Sequence, residues 1–567
     1  MSHDDSGVRR LVEEYRGRQI DRGEFIRRVM AFGLSASAAG TLLAACGGGG
    51  QEAATTPETA AATGGATSAQ AKTLRARSGG DATGFDPAFW GTYLDSSTDS
   101  LLYEGLLAFK PGTFETTNLL AEEFTPSSDG LEYAFKLREG IPFHGDYGEV
   151  TADDVKFSID RIAGRTQPNL NSPYSGDWIA LDRVEVTGKY SGTIVLKQPF
   201  SPLLRSTLPV GATTFSGSVL SKRAVEDRGK GYPTHPIGTG PFELADYTPQ
   251  KGVHFKKFSE YKDAPPELGE VAPWGEIEIR IVQENTSAEI AIETGELDFT
   301  DIAATSVDQF TQSGKFEVVA RGGLGYYWVG MNVEHPPLDN LNLRRAIQDA
   351  IDVPSILEAA YDGKVPQAYA IIPKEMGLGY WADAPHHDRD VAKASGYLEA
   401  ALRETGLKEI KLTLAYPAGD GQAKTASEVI QANLTDIGLK IGLRPTESAV
   451  LGELGDVLKQ LQLFYWNYST APDPSWSTVW FTCDQILKWN WMFWCNRRFS
   501  DLHDAAVTET DPAKRNAMYI EMQRIWDADA TAVWVAYASQ FYAYDKTIKP
   551  VFQPDGYPVF RFFGVTQ

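Results

Sequence analysis

Cysteine is scarce in this chain of 567 residues: three are present, Cys46, Cys483 and Cys495. Their spacing contains no CxxC pair, which removes the common zinc and thiol-redox motifs. Histidine is nearly as sparse, at eight. No GxSxG, HExxH or GxxxxGK[S/T] occurs, so the signatures of serine hydrolases, zinc peptidases and phosphate-loop enzymes are missing, and no catalytic residue is assigned. Positive charge is in deficit, with 53 Lys and Arg against 75 Asp and Glu, a net charge of −22. Such acidity argues against sequence-independent binding to nucleic acid or to anionic membrane surfaces, and it favours solubility. A long apolar run is also lacking. The uncharged stretch Val29 to Ala45, rich in Ala, Ser, Gly and Leu, is too short and too weakly apolar for a comfortable transmembrane helix.

That stretch follows Arg22-Gly23-Glu24-Phe25-Ile26-Arg27-Arg28 and ends in Leu43-Ala44-Ala45-Cys46, the layout of an export leader with small residues before a cysteine. It resembles a bacterial lipobox, which implies cleavage after residue 45, acylation of Cys46 and a membrane contact made through that lipid anchor only. The Arg27-Arg28 pair is similar to a twin-arginine signal, although Val29-Met30-Ala31 departs from that pattern; an ordinary basic leader is the alternative. Seven Arg and six acidic residues precede Cys46, so the acidity resides in the mature chain. Residues 46–73 carry too little bulky apolar material to pack and read as a tether. In an exported protein the remaining pair, Cys483 and Cys495, suggests a disulfide, the other reading being two separate buried thiols.

The rest is the composition of a folded chain, 42% hydrophobic and 11% aromatic, and its length calls for at least two lobes. Leu131 to Leu137 and Ile277 to Val282 alternate in the strand period. Thr151 precedes Asp153 and Asp154 at the head of a helix over Val155 to Ile162, where a hydroxyl cap and carboxylates suit the positive helix start. Leu343 to Asp349 and Lys424 to Asp436 read as further helices, the latter followed by a strand over Leu439 to Leu443. Strands alternating with helices indicate an α/β architecture.

Four motifs carry a family resemblance. They are Leu102-Tyr103-Glu104-Gly105-Leu106-Leu107 with the run Asp129 to His144, Pro236-Ile237-Gly238-Thr239-Gly240-Pro241-Phe242, Leu343 to Asp352, and Tyr465-Trp466-Asn467-Tyr468 leading to Asp473-Pro474. The chain resembles the solute-binding proteins typified by oligopeptide- and dipeptide-binding members. The resemblance implies a two-lobed periplasmic-binding-protein fold (type II, cluster C) with an inserted domain and a hinge. Lobe I would comprise 74–99, 219–319 and 501–567, the insert 100–218, and lobe II 320–500. It further implies a monomer without cofactor or resident metal, and an ABC permease and ATPase as partners. The glycines of 236–242 are expected to allow positive φ at a tight crossing, and His144 to sit in a structural turn.

By position in the family pattern, Trp90, Gly91 and Thr92 form the first-lobe rim, with a core tryptophan as the other reading of Trp90. Trp466, Asn467, Tyr468 and Thr470 lie on the anchoring segment of the second lobe. Peptide-binding members place an acid there to pair with the ligand's amino group, whereas this chain has Thr470, and Asp473 is the nearby candidate. Lys374 matches a basic position able to receive a carboxylate. The aromatic run Trp489 to Trp494 keeps an oligosaccharide ligand beside the peptide reading, and is otherwise an apolar loop pinned by a disulfide. His386, His387 and Asp388 read as a polar loop in preference to a metal site.

Overall fold

The computed structural model describes residues 72–166, 170–211, 214–456 and 459–566. The leader, Cys46 and nearly all of the tether lie outside the described residues.

Ten strands form one mixed sheet: β1 (Thr73–Ser78), β2 (Phe242–Thr248), β3 (Gly252–Lys257), β4 (Glu276–Ile281), β5 (Phe299–Ile302), β6 (Phe316–Met331), β7 (Lys411–Pro417), β8 (Lys440–Thr446), β9 (Leu463–Tyr468) and β10 (Ala532–Asp545). Their spatial order is 8-7-9-6-10-5-1-4-3-2. β1 runs parallel to β4 and β5, and β7 parallel to β8 and β9. The long antiparallel pair β6 and β10 joins the two halves. Both alternating segments read from the sequence are strands, over Glu132–Leu137 and within β4. Helices occupy Ala152–Ile162, Leu341–Ala350 and Gly421–Asp436. The Asp154 carboxylate accepts from both the backbone N–H and the hydroxyl of Thr151, closing the first turn of its helix.

Strand periodicity assigns each side chain to a core. Along β6, Tyr327, Val329 and Met331 face one apolar cluster with helices 341–361, 391–405 and 421–436, while Tyr326 and Trp328 face the other. β9 repeats this division, with Leu463 and Tyr465 on the first face and Phe464 and Tyr468 on the second. The second face is an aromatic core that also takes Trp491, Trp494, Trp526 and Trp534. A separate core holds β1, β3 and β4 together with the segment 100–218, through residues such as Leu74, Phe135, Phe157 and Phe255. The segment contributes a four-stranded sheet, Ala121–Pro126, Glu132–Leu137, Ser191–Leu196 and Leu181–Gly188 in that spatial order.

The helices Arg497–Thr508 and Pro512–Ala528 pack on the aromatic core through Phe499, Ala506, Tyr519, Met522 and Trp526. No change of core therefore falls at residue 501, where the sequence reading put the return to lobe I; the crossing lies within β10. The turn 236–242 also differs from expectation. Neither Gly238 nor Gly240 has a positive φ. A Cβ on them would lie 1.9 Å from the Leu102 carbonyl oxygen and 2.2 Å from that of Leu101, so close backbone approach is what requires glycine. Here His144 accepts from the Gly238 N–H at Nδ1 and donates from Nε2 to the Gly240 carbonyl. Burial lowers its pKa to about 4, so the ring is a neutral structural bracket.

Candidate functional site

The pairing of β6 and β10 loosens at one place. Gly322 opposes Ser539 and Tyr326 opposes Tyr537, leaving three residues of β6 against one of β10. The sequence there is Gly322-Gly323-Leu324-Gly325. A Cβ at Gly325 would stand 2.7 Å from the Tyr468 carbonyl oxygen, so the strand passes β9 at a distance only glycine allows. Beside this irregularity lies a cavity of about 490 Å³, within the ~300–1,000 Å³ typical of small-molecule sites.

Each part of the chain supplies a wall. Gly91, Thr92 and Tyr93 come from the rim before helix Tyr93–Leu102, and Tyr174, Asp177 and Phe215 from the insert. Asn467, Tyr468, Thr470, Trp476 and Trp480 come from β9 and the segment after it, and Asp555 and Tyr557 from the C-terminal part. The rim is held from below. Buried Asp95 accepts from the N–H groups of Gly91 and Thr92 at 2.9 and 3.0 Å and from the Thr83 hydroxyl at 2.7 Å. Asp86, buried against Arg161 through bonds of 2.9 and 2.6 Å, fixes the loop that leads there.

The expected site residues separate into two groups. Gly91, Thr92, Asn467, Tyr468 and Thr470 line the cavity. Trp90 does not: it is 1% exposed, donates from Nε1 to the Gly84 carbonyl, and packs edge-on against Tyr103 and Phe215, so it is a core tryptophan supporting the rim. Trp466 is half-buried against Trp491, and Lys374 is exposed on a short turn; neither is on the wall. Asp473 is fully buried and bonded at two points to Arg515, 3.0 and 3.1 Å away. Both its oxygens are committed to that guanidinium, which holds the carboxyl below the usual range despite burial. It forms a buried ion pair with Arg515 and does not line the cavity. The Thr470 hydroxyl is likewise engaged, accepting from Ser477 and donating to the Ala471 carbonyl.

Sequence reasoning missed the insert's contribution (Tyr174, Asp177, Phe215) and that of the C-terminal turn (Asp555, Tyr557). The Gly-Gly-Leu-Gly-Tyr-Tyr run at 322–327 was the visible signal for the β6 wall. The Tyr326 hydroxyl and the Trp480 indole N–H, both of wall residues, find no hydrogen-bond partner among the described residues. An adjoining cavity of about 690 Å³ shares Asp177, Ser206, Trp476 and Trp480 with the first and adds Trp489, 48% exposed. The rest of the aromatic run, Trp491 to Trp494, is buried in the aromatic core, and the Cys483–Cys495 disulfide closes the loop around it. His386 stacks on Tyr369 while His387 pairs with Asp527 at 2.7 Å, so the two rings take separate partners. Among the described residues no group of three or more His, Cys, Asp or Glu is placed to hold a metal ion.

The cavity thus takes its walls from several separate segments of the chain around the β6–β10 irregularity. The profile "Bacterial extracellular solute-binding proteins, family 5 Middle" matches residues 115–488. The chain belongs to this family. The dipeptide-binding protein of Escherichia coli is 30% identical over 526 residues, covering 85% of this chain and 92% of that one. The di/tripeptide-binding protein 3 of Pseudomonas aeruginosa is 26% identical, covering 89% and 96%. In fold, the chain superposes on a dipeptide-binding protein from Pseudoalteromonas sp. SM9913 solved with Met-Leu, with a TM-score of 0.72 and 23% identity over 87% of this solute-binding protein and all of that chain.

Proposed function

We propose that this solute-binding protein captures a short peptide or peptide-like solute outside the cytoplasm and delivers it to the permease and ATPase of an ABC importer. The observation that carries the reading is the cavity of about 490 Å³ at the loosened β6–β10 crossing, walled by rim, insert and β9 together. Its volume suits a ligand of a few residues. The relatives named for dipeptides and tripeptides support the solute class. Closure of the lobes captures the solute to the extent that it binds the closed arrangement better than the open one. The leader and Cys46 belong to the same reading: export, by the twin-arginine or the general route, followed by acylation, keeps a monomer at the membrane face beside its permease.

An oligosaccharide is the second reading, favoured by Trp476, Trp480 and Trp489 around the adjoining cavity, whose faces suit sugar rings. A thermal-shift comparison of the full chain with alanyl-phenylalanine, its amide, trialanine and maltotriose separates the two. A ligand that binds only the folded state raises the melting temperature. Shifts with the peptides alone support the first reading. A shift with maltotriose alone replaces it with the second.

A further inference from the structure

The cavity wall is one-sided in charge. Among the described residues that line it, Asp177 and Asp555 are carboxylates and none is Lys, Arg or His. Elsewhere in the fold, three buried acids are matched with arginines, Asp86 with Arg161, Glu104 with Arg561 and Asp473 with Arg515, while buried Asp95 and Asp99 are held by N–H and hydroxyl donors away from the cavity wall. Asp177 has no arginine either, and it lines the cavity. It is 8% exposed, and the hydrogen bond its carboxylate makes comes from the neutral hydroxyl of Ser216. A carboxylate taken out of water with no cation beside it is costly unless a cation arrives.

Asp177 is also held in place. It sits in the short turn Ser175–Trp178, where the Trp178 indole donates to the Ser216 carbonyl at 3.2 Å, so the residue that bonds the carboxylate is tied to the same turn. Asp177 lines both the cavity and its neighbour. The second-lobe position at which peptide binders carry an acid is Thr470 here, its hydroxyl already engaged, and Asp473 is spent on Arg515.

We propose that Asp177, on the inserted domain, is the anionic partner of the solute's ammonium group, and that the cavity selects solutes bearing a cation and no carboxylate. The selection rests on the capture reading above and narrows its solute class. Burial raises the Asp177 pKa to about 7, and a bound ammonium reverses that shift. A free dipeptide carries a carboxylate that meets no Lys, Arg or His among the described residues of the wall; its amide carries none.

Calorimetric titration of the full chain with four probes tests this: alanyl-phenylalanine amide, alanyl-phenylalanine, N-acetyl-alanyl-phenylalanine amide and spermidine. The amide is expected to bind at least tenfold more tightly than either the acetylated amide or the free dipeptide. Asp177→Asn is expected to lower the amide to the level of the acetylated probe while leaving the latter unchanged, and Asp177→Glu to restore part of the loss. Asparagine keeps the shape and the acceptor for Ser216, so a binding loss with an unchanged or raised melting temperature separates lost recognition from misfolding. Spermidine binding that depends on Asp177, with no binding of the peptide probes, would refute the peptide reading and keep this one. Equal binding of acetylated and free-amine probes, or an Asp177→Asn variant that binds the amide as the parent does, would overturn the proposal and leave the peptide reading standing. Binding by none of the amine probes would overturn it as well.

Discussion

Arg205 of the insert reaches across the cleft to Pro472: its guanidinium donates to that carbonyl at 3.0 and 3.1 Å, and to the Met376 carbonyl at 3.0 Å. Two segments far apart in sequence are thereby bonded through a half-buried cation. On the capture reading proposed above, these contacts would favour the arrangement in which the lobes face each other. Replacing Arg205 by Met removes charge-assisted bonds worth about 1.5–3 kcal/mol, and solute affinity should fall about tenfold through the closed population. The radius of gyration of the solute-free variant, measured by small-angle scattering, should rise. Unchanged affinity and unchanged scattering would remove Arg205 from the closure mechanism.

Asp473 offers the opposite case, a residue beside the site that should matter for folding alone. Asp473→Asn leaves Arg515 buried without its counter-charge, a loss of about 3–5 kcal/mol. Urea denaturation should report that loss, whereas solute affinity per folded molecule should stay within a factor of two or so. A selective loss of amine binding in a fully stable variant would return Asp473 to the site.

The pH dependence of stability follows from Asp177. Its folded-state pKa of about 7 lies above the ordinary 3.8. The raised value means that its favourable contribution is full below about pH 4 and is lost as pH rises through 7. The full span is on the order of 4 kcal/mol. Asp177→Asn should therefore melt higher than the parent at pH 8 and level with it near pH 4. Of the titratable groups nearby, burial raises the Tyr174 pKa to about 12, so it stays neutral across this window, and lowers that of His503, across the adjoining cavity, to about 4, so it loses its charge at the acid end. Asp504 also lines that cavity, with its pKa raised by burial and by Asp484 and Asp501. Melting curves in which the two proteins differ by the same amount at every pH would contradict this.

The disulfide supplies a fourth test. Cys483 and Cys495 are 12 residues apart, and Cys495 is exposed. Closing a loop of this size stabilises by about 3 kcal/mol in the chain-entropy account. Reduction, or a double Ser variant, should lower the melting temperature by several degrees and release Trp491 and Trp494 from the aromatic core, seen as red-shifted tryptophan emission. An unchanged melting temperature would show that the loop holds without its bond.

Local chemistry made much of the fold legible. Strand 132–137 announces itself by strict alternation, and the helix at 152 by a threonine and an aspartate three residues apart. Both signals act between near neighbours. The family pattern located Gly91, Thr92, Asn467, Tyr468 and Thr470 on the wall for the same reason, since they lie in continuous motifs. What sequence could not reveal depends on distant partners. Asp473 looked available because Arg515, 42 residues on, is invisible as its partner until helix Pro512–Ala528 packs beside it. Asp177 carries no local motif, and its place on the cavity wall is set by segments distant in sequence. The glycines at 238 and 240 were read as a matter of φ, but what constrains them is the backbone at 101 and 102.

Calorimetric titration of the full chain with a set of unmodified and C-terminally amidated dipeptides and tripeptides tests solute capture most directly. The account predicts one site per chain, dissociation constants of about 10 μM or below for the best members, and a negative heat-capacity change as the cleft loses water. Absence of heat with every peptide, alongside saturable binding of maltotriose, would contradict it.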